Sequence, residues 1–224
     1  TEVPAFYRFV VFEQQTHPFF INEQEEYKRT YTVKTGNNLN IFLNGFRKRM
    51  VMQNIPALRE EPFMKSINDC LAKVTYQLAS YNPPFSSAQK VLLSWKELGE
   101  NLMSSKNFGE RLNATSTIES AVSELLGSST DADESLIKIY HYIQSTFLWN
   151  NSFSIYASDL DDIFAQKKGD SGDLNLLLLS MLKAAGIQVF PVILSTRSFG
   201  TIYPDFPIAN QFNHVIVYAK TKTG

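Results

Sequence analysis

The chain has 224 residues, enough for one large domain or two small ones, and its 21 basic side chains nearly cancel 22 acidic ones. Residues 1–94 hold eleven basic against eight acidic side chains and the rest hold ten against fourteen, so neither part is basic enough to predict a nucleic-acid or membrane-surface partner. A 44% hydrophobic, 13% aromatic composition excludes disorder, the single Cys70 excludes an internal disulfide framework and a cysteine-built zinc site, and three scattered histidines (His17, His141, His214) suggest no metal or cofactor.

The first part reads as β. Phe6 to Phe12 is rich in strand formers, and Tyr27, Arg29, Tyr31 and Val33 alternate with Lys28, Thr30, Thr32 and Lys34. Gly36-Asn37-Asn38 predicts a turn, after which Leu39 to Leu43 resumes an extended pattern. Arg47-Lys48-Arg49 reads as a solvated turn or strand end. Ile55 to Pro62 predicts an irregular connection. From Asp69 to Ser80, Cys70, Ala72, Val74, Tyr76 and Leu78 share one face, a period of two. Antiparallel strands in a sandwich layer fit this pattern.

The second part reads as helices and then strands. Asn82-Pro83-Pro84 breaks the chain, and Ser86 to Ser104 predicts a helix. Ser116 and Glu119 have capping-box spacing ahead of a helical face closed by Gly127. A second stripe, Leu136, Ile139, Tyr140, Ile143 and Phe147, follows similar spacing at Thr130 and Asp133. Ser158 to Ala165 predicts a short helix. Leu174 to Ala185 is apolar nearly all round, with Lys183 its only charge, and predicts a helix through the domain centre. Gly186 stops it. Gln188 to Leu194 and Asn213 to Ala219 read as buried strands joined by a Pro- and aromatic-rich loop. No apolar run approaches the roughly 18–20 residues of a membrane helix. The polar Thr221 to Gly224 tail reads as the first half of a hairpin turn, so an excised fragment is expected.

One constellation carries chemistry. Lys167-Lys168-Gly169-Asp170-Ser171-Gly172-Asp173 delivers Ser171 to the start of the leucine helix, and His214 opens the last strand. A helix N-terminus lowers the pKa of a nucleophile placed there and stabilises a nearby oxyanion. A histidine opposite can take the proton, and a third group orients the imidazole. The plainer reading makes Ser171 a helix cap, with Asp170 and Asp173 as dipole partners. His214 is then a core histidine, His141 a partly exposed helix residue and His17 a loop residue. Trp95 and Trp149 serve as packing anchors, with Trp149-Asn150-Asn151 able to border a cleft. Gly169-Asp170-Ser171-Gly172 is also similar to the nucleophile loop of chymotrypsin-like proteases, but a buried helix follows it here and no barrel pattern surrounds it.

The turn Gly169 to Asp173, the leucine helix, its Ala184-Ala185-Gly186-Ile187 exit, Pro191-Val192 and Asn213-His214-Val215 together resemble the core of transglutaminase-like proteins, over roughly residues 110–224. Those proteins share the fold of papain-type cysteine proteases. The earlier part, with Ile55 to Glu61, resembles a β-sandwich domain of unknown function fused to such cores in Bacteroides-type envelope proteins. The resemblance implies an α+β chain: an antiparallel β-sandwich over 1–94, a connecting segment over 95–110, and an incomplete papain-like core over 111–224. It implies that Ser171 and His214 occupy the catalytic cysteine and histidine positions, with the third member on a strand beyond Gly224.

Cysteine is replaced by Ser171, whose alcohol is far less acidic than a thiol with a pKa of about 8.5. The expectation is therefore a non-catalytic protein that binds a protein, peptide or glycopeptide, and the resemblance implies a place in the periplasm or cell envelope. The alternative is an amide-bond hydrolase or acyltransferase using Ser171 or a native cysteine there. A third reading is a spacer whose cleft is plugged by Tyr203 or Phe206.

Overall fold

The computed structural model describes residues 2–4, 7–14, 18–33, 39–82, 87–129 and 131–220. The chain is mixed α and β and divides into two compact units, Thr1–Leu93 and Ser94–Gly224.

The first unit contains β1 (Glu2–Pro4), β2 (Tyr7–Gln14), β3 (Ile21–Val33), β4 (Leu39–Val51), a single helical turn α1 (Ile67–Cys70), β5 (Lys73–Tyr81) and β6 (Gln89–Lys90). They form two three-stranded antiparallel sheets, ordered β1-β4-β3 and β2-β5-β6. The long β3–β4 ladder runs from Ile21 opposite Val51 to Val33 opposite Leu39. Cross-strand charge helps set that register: Glu23 faces Arg49, and Glu25 faces Arg47 with a 2.7 Å ion pair. The basic run at 47–49 is thus a strand segment, with Arg47 and Arg49 opposite acidic residues and Lys48 opposite Gln24.

Two sequence expectations need correction in this unit. The period-two pattern starts later than Asp69, because the Ser66 hydroxyl accepts the Asn68 N–H and winds Ile67–Cys70 into a turn of helix. The helix expected over Ser86 to Ser104 forms only from residue 95, since Gln89 and Lys90 pair with Tyr81 and Ser80. The turn at Gly36 to Asn38, the proline break at 83–84 and His17 lie outside the described residues.

The second unit contains α2 (Trp95–Met103), a 3-10 turn (Gly109–Leu112), α3 (Ser116–Leu126), α4 (Ala132–Thr146), β7 (Leu148–Trp149), α5 (Leu160–Gln166), β8 (Lys168–Gly169), α6 (Ser171–Ala184), β9 (Val189–Leu194), a second 3-10 turn (Ala209–Gln211) and β10 (His214–Ala219). Helix α6 is its axis, in contact with α3, α4, α5, β9 and β10. Leu176, Leu177, Leu179, Met181 and Leu182 are almost fully buried, against a core that includes Ile118, Ile139, Leu160 and Val215. Each such side chain contributes about 1.5–3 kcal/mol on burial, which is why an all-round apolar helix goes to the centre. Gly186, at φ 76°, gives the left-handed turn that ends it.

Helix starts fall near the expected positions, with different caps. Thr115, not Ser116, caps α3, and Asp131 caps α4 by accepting the Asp133 and Glu134 N–H groups. Tyr140 leaves the expected α4 stripe and is exposed, while Ile139, Ile143 and Phe147 are buried. Strands β9 and β10 form an antiparallel ribbon, with His214 opposite Leu194 and Ala219 opposite Val189. They are not buried on both faces. Val215 is fully buried, whereas Phe190, Val192, Ile216 and Tyr218 are exposed.

Candidate functional site

A short relay of backbone contacts brings the chain into α6. Lys167 ends α5 in the left-handed conformation, φ 55°, which costs a non-glycine residue energy. Its ammonium compensates by lying 3.5 Å from the centre of the Phe164 ring and 4.6 Å from that of Phe147, and it donates to the Tyr142 hydroxyl at 3.4 Å. The Lys167 carbonyl accepts from Leu148 N–H, and Gly169 C=O accepts from Asn150 N–H, which docks β8 parallel to β7.

Asp170, and not Ser171, is the helix cap. Its carboxylate accepts the Asp173 N–H at 2.9 Å, while the Asp173 carboxylate accepts the Asp170 N–H at 3.0 Å, a reciprocal capping box. The buried Asp173 also accepts the Ser158 N–H at 2.8 Å. Burial is the main reason the Asp170 carboxyl is pushed up from its ordinary value, opposed by N–H groups of Asp173 and Gly172 and assisted by the neighbouring Asp173 charge.

Ser171 is the first helical residue and is 5% exposed. Its hydroxyl is held twice by one residue: it accepts the Ser154 N–H at 3.0 Å and donates to the Ser154 carbonyl at 3.2 Å. Its own N–H donates to the Ser152 carbonyl at 3.0 Å. The next donors of the helix are also engaged, Asp173 N–H by the Asp170 carboxylate and Leu174 N–H by the Asp170 carbonyl. The segment 152–156 therefore lies across the helix start. A Cβ on Gly172 would come within 2.1 Å of the Tyr156 carbonyl oxygen, so only glycine permits this approach.

His214 reaches the same region by a different route. Its ring meets that of Phe153 edge-on, with centroids 5.4 Å apart at 87°. Phe153 precedes the residue that holds the Ser171 hydroxyl, so Phe153-Ser154 links the two sequence-predicted site residues. Among the described residues no hydrogen bond joins Ser171 to His214, and the buried His214 Nδ1 has no partner. Desolvation lowers the His214 pKa from its ordinary value, favouring the neutral ring.

The preceding Asn213 fixes the entry to β10. Its side chain accepts the Thr196 N–H at 2.8 Å and donates to the Thr196 hydroxyl at 2.9 Å. The loop between β9 and β10 is braced elsewhere: Gln211 accepts the Tyr203 N–H and donates to the Phe206 carbonyl, and Trp95 donates to the Pro204 carbonyl at 2.8 Å while meeting Phe212 edge-on. None of the described polar contacts or ring contacts takes Tyr203 or Phe206 to Ser171 or His214. His141 is exposed beside Gln144. Cys70 is a half-buried free thiol in the first unit. Among the described residues no group of three or more His, Cys, Asp or Glu side chains is placed to hold a metal, and no helix is long and apolar enough to cross a membrane.

The residues that sequence reasoning missed are Ser152, Phe153 and Ser154. Ser152 and Ser154 act on Ser171 through backbone groups, which every residue type carries, so nothing in their identity marked them.

No family model and no curated protein matches the chain. A crystal structure of a "putative protease" from Parabacteroides distasonis is similar in fold, with a TM-score of 0.58 and 15% identity, covering 98% of this chain and 37% of that one. The chain thus spans little more than a third of the length of the structure it resembles. At this identity the likeness is one of fold alone.

Proposed function

We propose that this chain is a non-catalytic transglutaminase-like protein of the bacterial cell envelope, with a binding or scaffolding role. On this reading residues 1–94 form a β-sandwich, 95–110 a connecting segment and 111–224 a papain-like core. Ser171 and His214 stand at the nucleophile and base positions, with serine in place of the nucleophilic cysteine. The extracytoplasmic location rests on the resemblance of the motifs alone.

The observation that carries the reading is the state of the Ser171 hydroxyl. Attack on a carbonyl would require it to leave both Ser154 contacts and meet a base. The Ser171 N–H, the natural donor to a developing oxyanion, is already bonded to Ser152. Helix dipole and imidazole can ionise a thiol near neutral pH, but they leave an alcohol protonated. The retained framework then serves recognition.

Pre-steady-state reaction with p-nitrophenyl acetate tests the reading. The expected result is the same absence of a burst in the native chain and in Ser171→Ala. A stoichiometric burst that Ser171→Ala abolishes would overturn it.

A second reading, an amide-bond hydrolase or acyltransferase, is favoured by the description of the structural neighbour as a "putative protease". Ser171→Cys in a Cys70→Ser background separates the two. Iodoacetamide labelling at the rate of an unactivated thiol across neutral pH supports the non-catalytic reading, and fast labelling below pH 7 supports the enzyme.

A further inference from the structure

We infer that the Trp149–Phe153 corner at the start of α6 is a stacking platform for a neutral sugar ring. The inference rests on reading the region around Ser171 and His214 as a binding site, and it names the class of ligand.

One carbonyl ties the platform to the site. The Ser152 C=O accepts both the Trp149 indole N–H at 2.8 Å and the Ser171 N–H at 3.0 Å. The indole is therefore fixed in orientation and its only polar atom is satisfied, so what it offers a ligand is its π-face. Phe153 locks it from the side, edge-on at 5.2 Å, and itself stands against His214. Both rings nevertheless keep large exposed areas, 40% for Trp149 and 46% for Phe153. Rings held this way lose little freedom when a ligand stacks on them.

The surroundings select the ligand. From Phe147 to Ser158 the sequence has no charged side chain, while Asn150, Asn151, Ser152 and Ser158 supply amides and hydroxyls. Asn151 and Ser152 are exposed next to the indole. His214, in edge-on contact with Phe153, favours its neutral form and adds no charge there. A charged peptide would find no ion partner on this segment. A purely apolar one would leave the exposed amides without partners. A sugar ring has a C–H face for the indole and hydroxyls for Asn151 and Ser152, so it matches both halves of the corner.

Saturation-transfer NMR on the 224-residue chain tests this, with chitotriose and maltotriose as probes and N-acetylphenylalaninamide as the aromatic-peptide control. At least one sugar is expected to show saturable transfer through its C–H protons. Trp149→Ala should weaken binding by roughly tenfold or more, and Trp149→Phe, which keeps a π-face, should weaken it less. Phe153→Leu should weaken it while the circular dichroism stays native. Absence of transfer from both sugars, transfer unchanged in Trp149→Ala and Phe153→Leu, or preference for the phenylalanine amide would each overturn the inference. Failure here with no Ser171 burst removes the ligand class and leaves the non-catalytic reading standing. A Ser171 burst removes that reading whatever the sugars do.

Discussion

The two units of this chain bury their side chains by different means. In the second unit α6 is wrapped by helices and a ribbon, and ten of its fourteen residues are buried. In the first, built of two three-stranded sheets, no apolar side chain is buried among those whose burial is described, and Phe42 on β4 is 80% exposed. A sheet offers two faces and needs a layer for each, whereas one apolar helix can be surrounded by its own neighbours. The unit with the buried axis is also the one that holds Ser171 and His214 in place. Positioning two groups from distant parts of the sequence requires elements that do not yield.

The largest test of this contrast is truncation in each unit. Leu177→Ala, at a site with no exposure, should cost about 2–5 kcal/mol in urea unfolding, and Phe42→Ala about 0.5 kcal/mol or less. Equal losses would erase the distinction.

Next comes the approach at the helix start. Gly172→Ala should cost about 1–3 kcal/mol, because the new methyl group meets the Tyr156 carbonyl and segment 152–156 must shift. An unchanged melting temperature would show that the segment yields freely.

Smaller again is the caged ammonium. Lys167→Met should lose roughly 1 kcal/mol of cation–π attraction. Lys167→Gly should lose less, since glycine relieves the left-handed backbone at φ 55°. The order of the two melting temperatures decides between cage and backbone.

The smallest expected effect is in pH. His214 has a folded pKa below its ordinary 6.5, so the unfolded chain binds the proton more readily. Its contribution to stability is complete above about pH 6.5 and is lost as pH falls through the lowered folded value. His214→Phe should flatten that part of the stability curve, as read by urea midpoints between pH 5 and 8.

Much of the secondary structure was legible where one period dominated. The alternation at Tyr27 to Val33 and the apolar belt at Leu174 to Ala185 each correspond to an element of the expected type. Boundaries were legible only to within a residue or more, because Thr115 and Ser116, or Asp170 and Ser171, offer adjacent side chains that can both cap. The choice depends on which one has a free N–H in reach, and that is set by the incoming chain. The strands β9 and β10 read as buried because they are apolar throughout. Only the packing of one face on α6 distinguishes Val215 from Ile216.

Sequence alone determined that a nearly uncharged helix would be central, and that a serine followed by a glycine would stand at its start. Both depend on local chemistry: apolar surface leaves water, and glycine admits close backbone approach. Tertiary structure decided what that serine can do. Its hydroxyl and its N–H are taken by carbonyl and amide groups of residues 152 and 154, some seventeen to nineteen positions earlier. Backbone groups look alike at every position, so which of them meets a given side chain is settled only when the chain has folded.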